Sequence, residues 1–219
     1  MRRFLVMGAA VVVGGFLMGI ACEAEAGSRR SRPVRTGQTT CWNTVGVVVN
    51  CVATGQDGEL QRGERRAYQD NGDGTIRDLR TALMWEKLSD DGSIHDNGNN
   101  YTWANAFAVK IATLNTPPCF AGFCDWRLPN LFELETLRNV GTVNPAVSAA
   151  FNSNCGASSG GNPGCTVLTC SCNIPGFYWS SSSYAYTPQD AWFVRFSDAD
   201  IGTFSKGSGM YVRAVRGGS

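Results

Sequence analysis

The residues able to do chemistry in this chain are few, and their neighbours decide how far each can be taken. The single histidine, His95, lies within Asp90-Asp91-Gly92-Ser93-Ile94-His95-Asp96-Asn97. An imidazole among carboxylates can serve as a general base or a metal ligand. With no second histidine in the chain, a solvated surface loop is the expectation. Ser180 to Ser183 present four consecutive hydroxyls. A serine nucleophile needs a base and a group to orient that base, so the run reads as a hydrogen-bonding strand end. No catalytic residue is assigned.

The cysteines carry a stronger signal. Setting aside Cys22, eight remain: Cys41, Cys51, Cys119, Cys124, Cys155, Cys165, Cys170 and Cys172. An even number behind an export signal reads as a disulfide framework rather than as catalytic thiols. The short loops suggest Cys41 with Cys51 and Cys119 with Cys124. The last four lie in a Gly/Ser/Asn-rich stretch and are expected to pair among themselves. Cys170-Ser171-Cys172 is too close to close on itself without strain, so two crossing bonds to Cys155 and Cys165 are expected. Zinc at Cys165-x4-Cys170-x-Cys172 is disfavoured because exported cysteines oxidise. Oxygen ligands for calcium are offered by Asp70, Asp73 and the histidine loop. The EF-hand spacing is nevertheless absent from Asp70 to Arg80, as are the Glu-Pro-Asn and Trp-Asn-Asp motifs of calcium-dependent sugar-binding lectins. No cofactor or metal is assigned, calcium being unsupported.

Between Tyr178 and Tyr211 the chain mixes tyrosine, serine, glycine and charged residues in the manner of a recognition surface, where tyrosine supplies contact area at low entropic cost. Tyr184, Tyr186, Gln189, Asp190 and Lys206 are the candidate ligand-binding residues. Ordinary polar loops over a β core are the competing reading. Trp126, Trp179 and Trp192 are expected in the core, with Arg127 paired to a carboxylate or to backbone carbonyls.

These residues need a scaffold. Cys41 to Cys51 enclose Val45-Gly46-Val47-Val48-Val49, a small disulfide-closed hairpin. Asn71-Gly72 and Asp73-Gly74 are turn dipeptides leading into a strand at Thr75–Asp78, and a second strand follows at Leu83–Glu86. Trp103, Phe107, Ile111 and Leu114 recur at helical spacing behind Thr102 as N-cap. Asn130 and Glu133 form a capping box for a second helix striped by Leu131, Leu134 and Leu137. Asn144-Pro145 suggests a third, reaching Phe151. Trp192–Phe196 and Tyr211–Arg216 alternate as strands.

The N-terminus reads as an export signal: Arg2 and Arg3, an apolar run from Phe4 to Ala21, then Ala24-Glu25-Ala26 as cleavage site. Lipidation of Cys22 is the alternative, and membrane attachment would require either that or a retained signal. The organisation is therefore a signal peptide at 1–26, a linker and small hairpin at 27–67, and one domain at 68–219. Arg29, Arg30, Arg32 and Arg35 read as a solvated leader. A net charge of +1 gives no electrostatic case for nucleic acid.

Asp70-Asn71-Gly72-Asp73-Gly74-Thr75, Leu83-Met84-Trp85-Glu86-Lys87, Asp125-Trp126-Arg127-Leu128-Pro129-Asn130 with Glu133-Leu134, Tyr178-Trp179-Ser180-Ser181 and Tyr211-Val212-Arg213-Ala214-Val215-Arg216 occur in the order of a known family. Over roughly residues 68 to 217 the chain resembles the Lcl C-terminal domain family, named after collagen-like bacterial adhesins. Ala82 departs from the glycine usual there. The resemblance implies an α+β, C-type-lectin-like fold, with two main helices flanking a small twisted, mostly antiparallel sheet whose N- and C-terminal strands meet. It also implies a relation in fold to formylglycine-generating enzymes and to variable binding proteins of diversity-generating retroelements. The family has no agreed functional residues to carry over.

The expected function is an exported, monomeric, non-enzymatic domain binding a glycan or surface protein through loops between Ser180 and Met210. The expected location is the periplasm, cell surface or exterior. A divergent formylglycine-type oxidase using Cys170 and Cys172, or a purely structural envelope domain, are the alternatives.

Overall fold

The computed structural model describes residues 33–155 and 162–217. The expected signal peptide, Cys22, Arg29, Arg30 and Arg32 lie outside the described residues. Among the described residues no helix is long and apolar enough to cross a membrane.

The chain opens with the expected hairpin, β1 (Cys41–Trp42) against β2 (Val48–Val49), closed by the Cys41–Cys51 disulfide. One helical turn, α1 (Asp57–Leu60), follows. Residues 33–40, read from sequence as linker, are packed. Val34 bridges to Glu64, and the Val140 amide donates to the Thr36 carbonyl. A Cβ on Gly141 would stand 2.2 Å from the Gly37 oxygen. Arg35 therefore does not belong to a solvated leader; its guanidinium donates to Gln61 and Gly63.

Strands β3 (Tyr68–Asp70), β4 (Thr75–Asp78) and β5 (Met84–Glu86) form an antiparallel meander, and the C-terminal β11 (Val215–Arg216) adds to β5. The β3–β4 turn is set by side chains: Asp70 accepts from the Gly72 amide and Asp73 from the Thr75 amide, each mimicking a backbone turn. Gly74 has φ +92°, and a Cβ there would meet Val167 at 2.9 Å, so both conformation and space call for glycine.

The second sheet has the order β6 (Asn100–Tyr101), β10 (Met210–Tyr211), β7 (Phe177–Ser183), β8 (Asp190–Arg195), β9 (Asp200–Ser205). Only β10 and β7 run parallel. The alternation of β7 and β8 separates two apolar cores. Tyr178 and Val194 join Leu134, Leu137, Phe151 and Trp85 in one. Trp179, Ala191 and Phe193 join Ala106, Ile111, Leu114 and Trp126 in the other.

The first helix runs from α2 (Trp103–Asn105) through a π-helical segment (Ala106–Ile111) to α3 (Ala112–Leu114). Thr102 caps it by accepting from the Asn105 amide. The second, α4 (Leu131–Glu135), begins with the reciprocal Asn130–Glu133 capping box read from sequence.

Two expectations about local structure are overturned. Tyr211–Arg216 is not one strand; its ends pair in different sheets. The helix from Asn144 does not form, because the Asn144 and Ala146 amides donate to Ser197 and Phe196. Only a 3-10 turn, Ala149–Phe151, is left of it.

Candidate ligand-binding surface

Three polar assemblies rest on this scaffold. The first is buried. Strand alternation in β5 turns Glu86 away from the core that takes Trp85, and both are fully shielded. Glu86 Oε1 accepts from Lys110 Nζ at 2.5 Å and lies 2.6 Å from His95 Nδ1, while Oε2 accepts from the Ala214 amide at 3.0 Å. Lys110 Nζ also donates to the Ile94 carbonyl at 2.6 Å. Burial would raise the Glu86 carboxyl, but Lys110 and then His95 outweigh it and hold the group down at about 2. Burial pulls Lys110 below the usual lysine value, with Glu86 opposing. Three partners on one carboxylate favour its charged form. His95 is thus not a solvated loop residue. Its side chain is 15% exposed and its ring lies 4.3 Å from that of Phe120.

Arg213 completes this bracket. It is fully buried and donates to the carbonyls of Glu86 and Cys172, both at 2.7 Å, and to Asn173. The assembly ties β5, the 89–97 loop, the first helix and the C-terminal segment together. Sequence reasoning missed it, although one sign was available: Lys110 follows Phe107 by three and precedes Leu114 by four, so it sits on the apolar helix face.

At the domain edge the expected pairing of Arg127 holds. It grips Glu133 with two hydrogen bonds, 2.6 and 2.7 Å, and donates to the Gly217 carbonyl. Trp126 is buried and donates to the Phe120 carbonyl. The turn carboxylates are engaged as well: Asp70 with Lys87, Asp73 with the Thr75 hydroxyl, and Asp91 and Asp96 with loop amides and a serine.

The second assembly is exposed and brings the five candidate residues together at the β7–β8 turn. Asp190 pairs with Ser205 across β8 and β9, and its carbonyl accepts from the Tyr184 amide. Lys206 spans the turn: Nζ donates to Ser183 Oγ at 2.7 Å and the Pro188 carbonyl at 2.8 Å, and its amide donates to Gln189. Nζ also sits 4.2 Å above the Trp103 ring, a favourable cation–π placement. Tyr184 meets Tyr186 at 6.0 Å and Trp192 edge-on at 5.2 Å between ring centroids. Tyr186 is 87% exposed. Trp192, expected in the core, is half-buried at the rim of this cluster, whereas Trp179 is fully buried as expected. Trp192 and Trp103 are therefore the additions that sequence reasoning missed; the pairing of β7 with β8 sets Trp192 beside Tyr184. The serine run acts as strand-end hydrogen bonding: Ser180 donates to the Trp192 carbonyl and Ser182 accepts from the Leu131 amide.

The third assembly is sulfur. Cys119 bonds Cys124 as expected, Cys155 bonds Cys172, and Cys165 bonds Cys170. The last four pair among themselves, and Cys170 and Cys172 do reach back to Cys155 and Cys165, but the bonds are nested rather than crossing, so the partners are exchanged relative to the expectation. The Cys172 amide donates to Leu88 and the Cys170 amide to Thr166, which points neighbouring cysteines at different partners.

A family model for the Lcl C-terminal domain matches residues 74–216. The chain belongs to that family. No curated protein matches it. The Lcl C-terminal domain begins at the Gly74 turn, ends on β11, and holds the buried bracket, the tyrosine turn and the sulfur cluster. The Cys41–Cys51 hairpin precedes it.

Proposed function

We propose that this Lcl C-terminal domain is exported and acts as a non-enzymatic binding module of C-type-lectin-like architecture, engaging a glycan or a surface protein through the β7–β8 turn. The carrying observation is the cluster of Tyr184, Tyr186 and Trp192, held by Lys206 and largely outside both cores. An exposed Tyr186 beside the half-buried Tyr184 and Trp192 on a braced turn supplies contact area with little entropy left to lose on binding. Four disulfides support an oxidising, extracytoplasmic setting.

The test is a panel of glycans and bacterial surface proteins probed with the oxidised protein. Binding is expected to fall at least about tenfold in Tyr186→Ala, a loss of about 1.4 kcal/mol, with folding intact. A folded protein that binds nothing on the panel, or a Tyr184→Ala/Tyr186→Ala variant that binds normally, argues for a structural envelope role instead.

A further inference from the structure

The two nested disulfides touch. Cys165 Sγ lies 3.4 Å from Cys172 Sγ, although each is bonded to a different partner. The sulfur atoms of Cys165, Cys170 and Cys172 all fall within 4.8 Å of one another, and those three residues are buried while Cys155 is half-buried. A separation of roughly 3–3.5 Å between reacting atoms is that of a near-attack arrangement.

We propose that Cys155, Cys165, Cys170 and Cys172 form a thiol–disulfide exchange centre whose co-reactant is an external dithiol. The dithiol attacks the half-buried Cys155 end of Cys155–Cys172, forming a mixed disulfide with Cys155 as that bond breaks and its electron pair leaves on Cys172. The Cys172 thiolate attacks Cys165 Sγ, so a Cys165–Cys172 bond forms as Cys165–Cys170 breaks. The electron pair leaves on Cys170, which takes up a proton. The second thiol of the dithiol then displaces Cys155 as a thiol, so the dithiol has given up two electrons and become a disulfide. The internal step conserves disulfides and carries the reduction from the half-buried Cys155 to the buried Cys170. This inference is independent of the tyrosine turn.

The experiment is disulfide mapping by mass spectrometry after acid quench and alkylation. Wild-type protein is treated with limiting dithiothreitol, with Cys41–Cys51 and Cys119–Cys124 as internal references. Appearance of the Cys165–Cys172 peptide with alkylated Cys155 and Cys170 is expected. Alkylated Cys155 and Cys172 beside an intact Cys165–Cys170 peptide overturns the proposal, as does alkylated Cys165 and Cys170 beside an intact Cys155–Cys172 peptide, or loss of both bonds with no Cys165–Cys172 peptide. Cys170→Ser, purified oxidised, gives a second reading without reductant. It is expected to carry Cys165–Cys172 and a labelled Cys155; label confined to Cys165 counts against exchange. If that variant does not fold, the wild-type time course decides alone.

Discussion

The buried Glu86 bracket and the exposed tyrosine turn are both held by a lysine, yet they use it oppositely. Lys110 is 1% exposed at its side chain and neutralises a fully buried carboxylate, so its charge is compensated and its removal takes away the closest cation from Glu86. Lys206 meets a hydroxyl, a carbonyl and an aromatic face near solvent. Charge in a low-dielectric interior is tolerated only when matched; charge at the surface is screened and serves mainly to fix geometry. The first region thus spends its polar groups on holding elements together. The second leaves aromatic surface uncovered.

The largest effect that sharpens this contrast is expected at the bracket. Glu86→Gln leaves Lys110 without its counter-charge and should lower unfolding free energy by about 3–5 kcal/mol, read by urea denaturation. A loss below about 1 kcal/mol would show that Lys110 finds water or another partner, and the contrast would fail. The acid response is the same contrast seen by titration. Glu86 is depressed from 4.5 to about 2, so its stabilisation is fully present above about pH 4.5 and is lost as pH falls towards about 2. Denaturation midpoints of wild type should drop through that window more steeply than those of Glu86→Gln; parallel profiles would contradict the assignment.

A smaller effect is expected at Ala82, which stands where the family usually has glycine and holds φ +58°. The left-handed region costs an alanine roughly 1–2 kcal/mol, part of which glycine returns as chain entropy. Ala82→Gly should therefore stabilise by about 0.5–1 kcal/mol, visible as a raised melting temperature, and a lowered one would refute the strain argument. The smallest stability effect belongs to the tyrosine turn. Tyr186→Ala should stay within about 0.5 kcal/mol of wild type. A larger loss by thermal melting would place that ring in the scaffold and erase the distinction between the two regions.

The parts of the molecule legible beforehand are those whose partners are near in sequence. The Asn130–Glu133 box spans three residues, and the Cys119–Cys124 loop spans five. The Asn71–Gly74 turns are written in their own side chains. His95 was misjudged because its carboxylate partner is Glu86, across the loop, not the neighbouring aspartates. The Asn144 helix failed for a similar reason: its cap and proline favour a start, but the Phe196 and Ser197 carbonyls just past β8 claim the amides. The candidate tyrosines were legible as composition, and their gathering into one cluster was not. That gathering depends on β7 and β8 pairing up to Ser183 and Ala191, which brings Tyr184 beside Trp192.

By itself the sequence determined the family, the caps, the turns, the two short-loop disulfides and the alternation that lets one strand feed two cores. These follow from φ/ψ preferences and from periodicities that act over a few residues. Tertiary structure alone decided the strand order, the splitting of Tyr211–Arg216 between sheets, the nesting of the last disulfides, and the meeting of Glu86 with Ala214 from 128 residues away. The physical reason is that a buried charge or a strand edge takes whichever partner the packed chain delivers. That delivery is settled by the whole core at once, not by any local spacing.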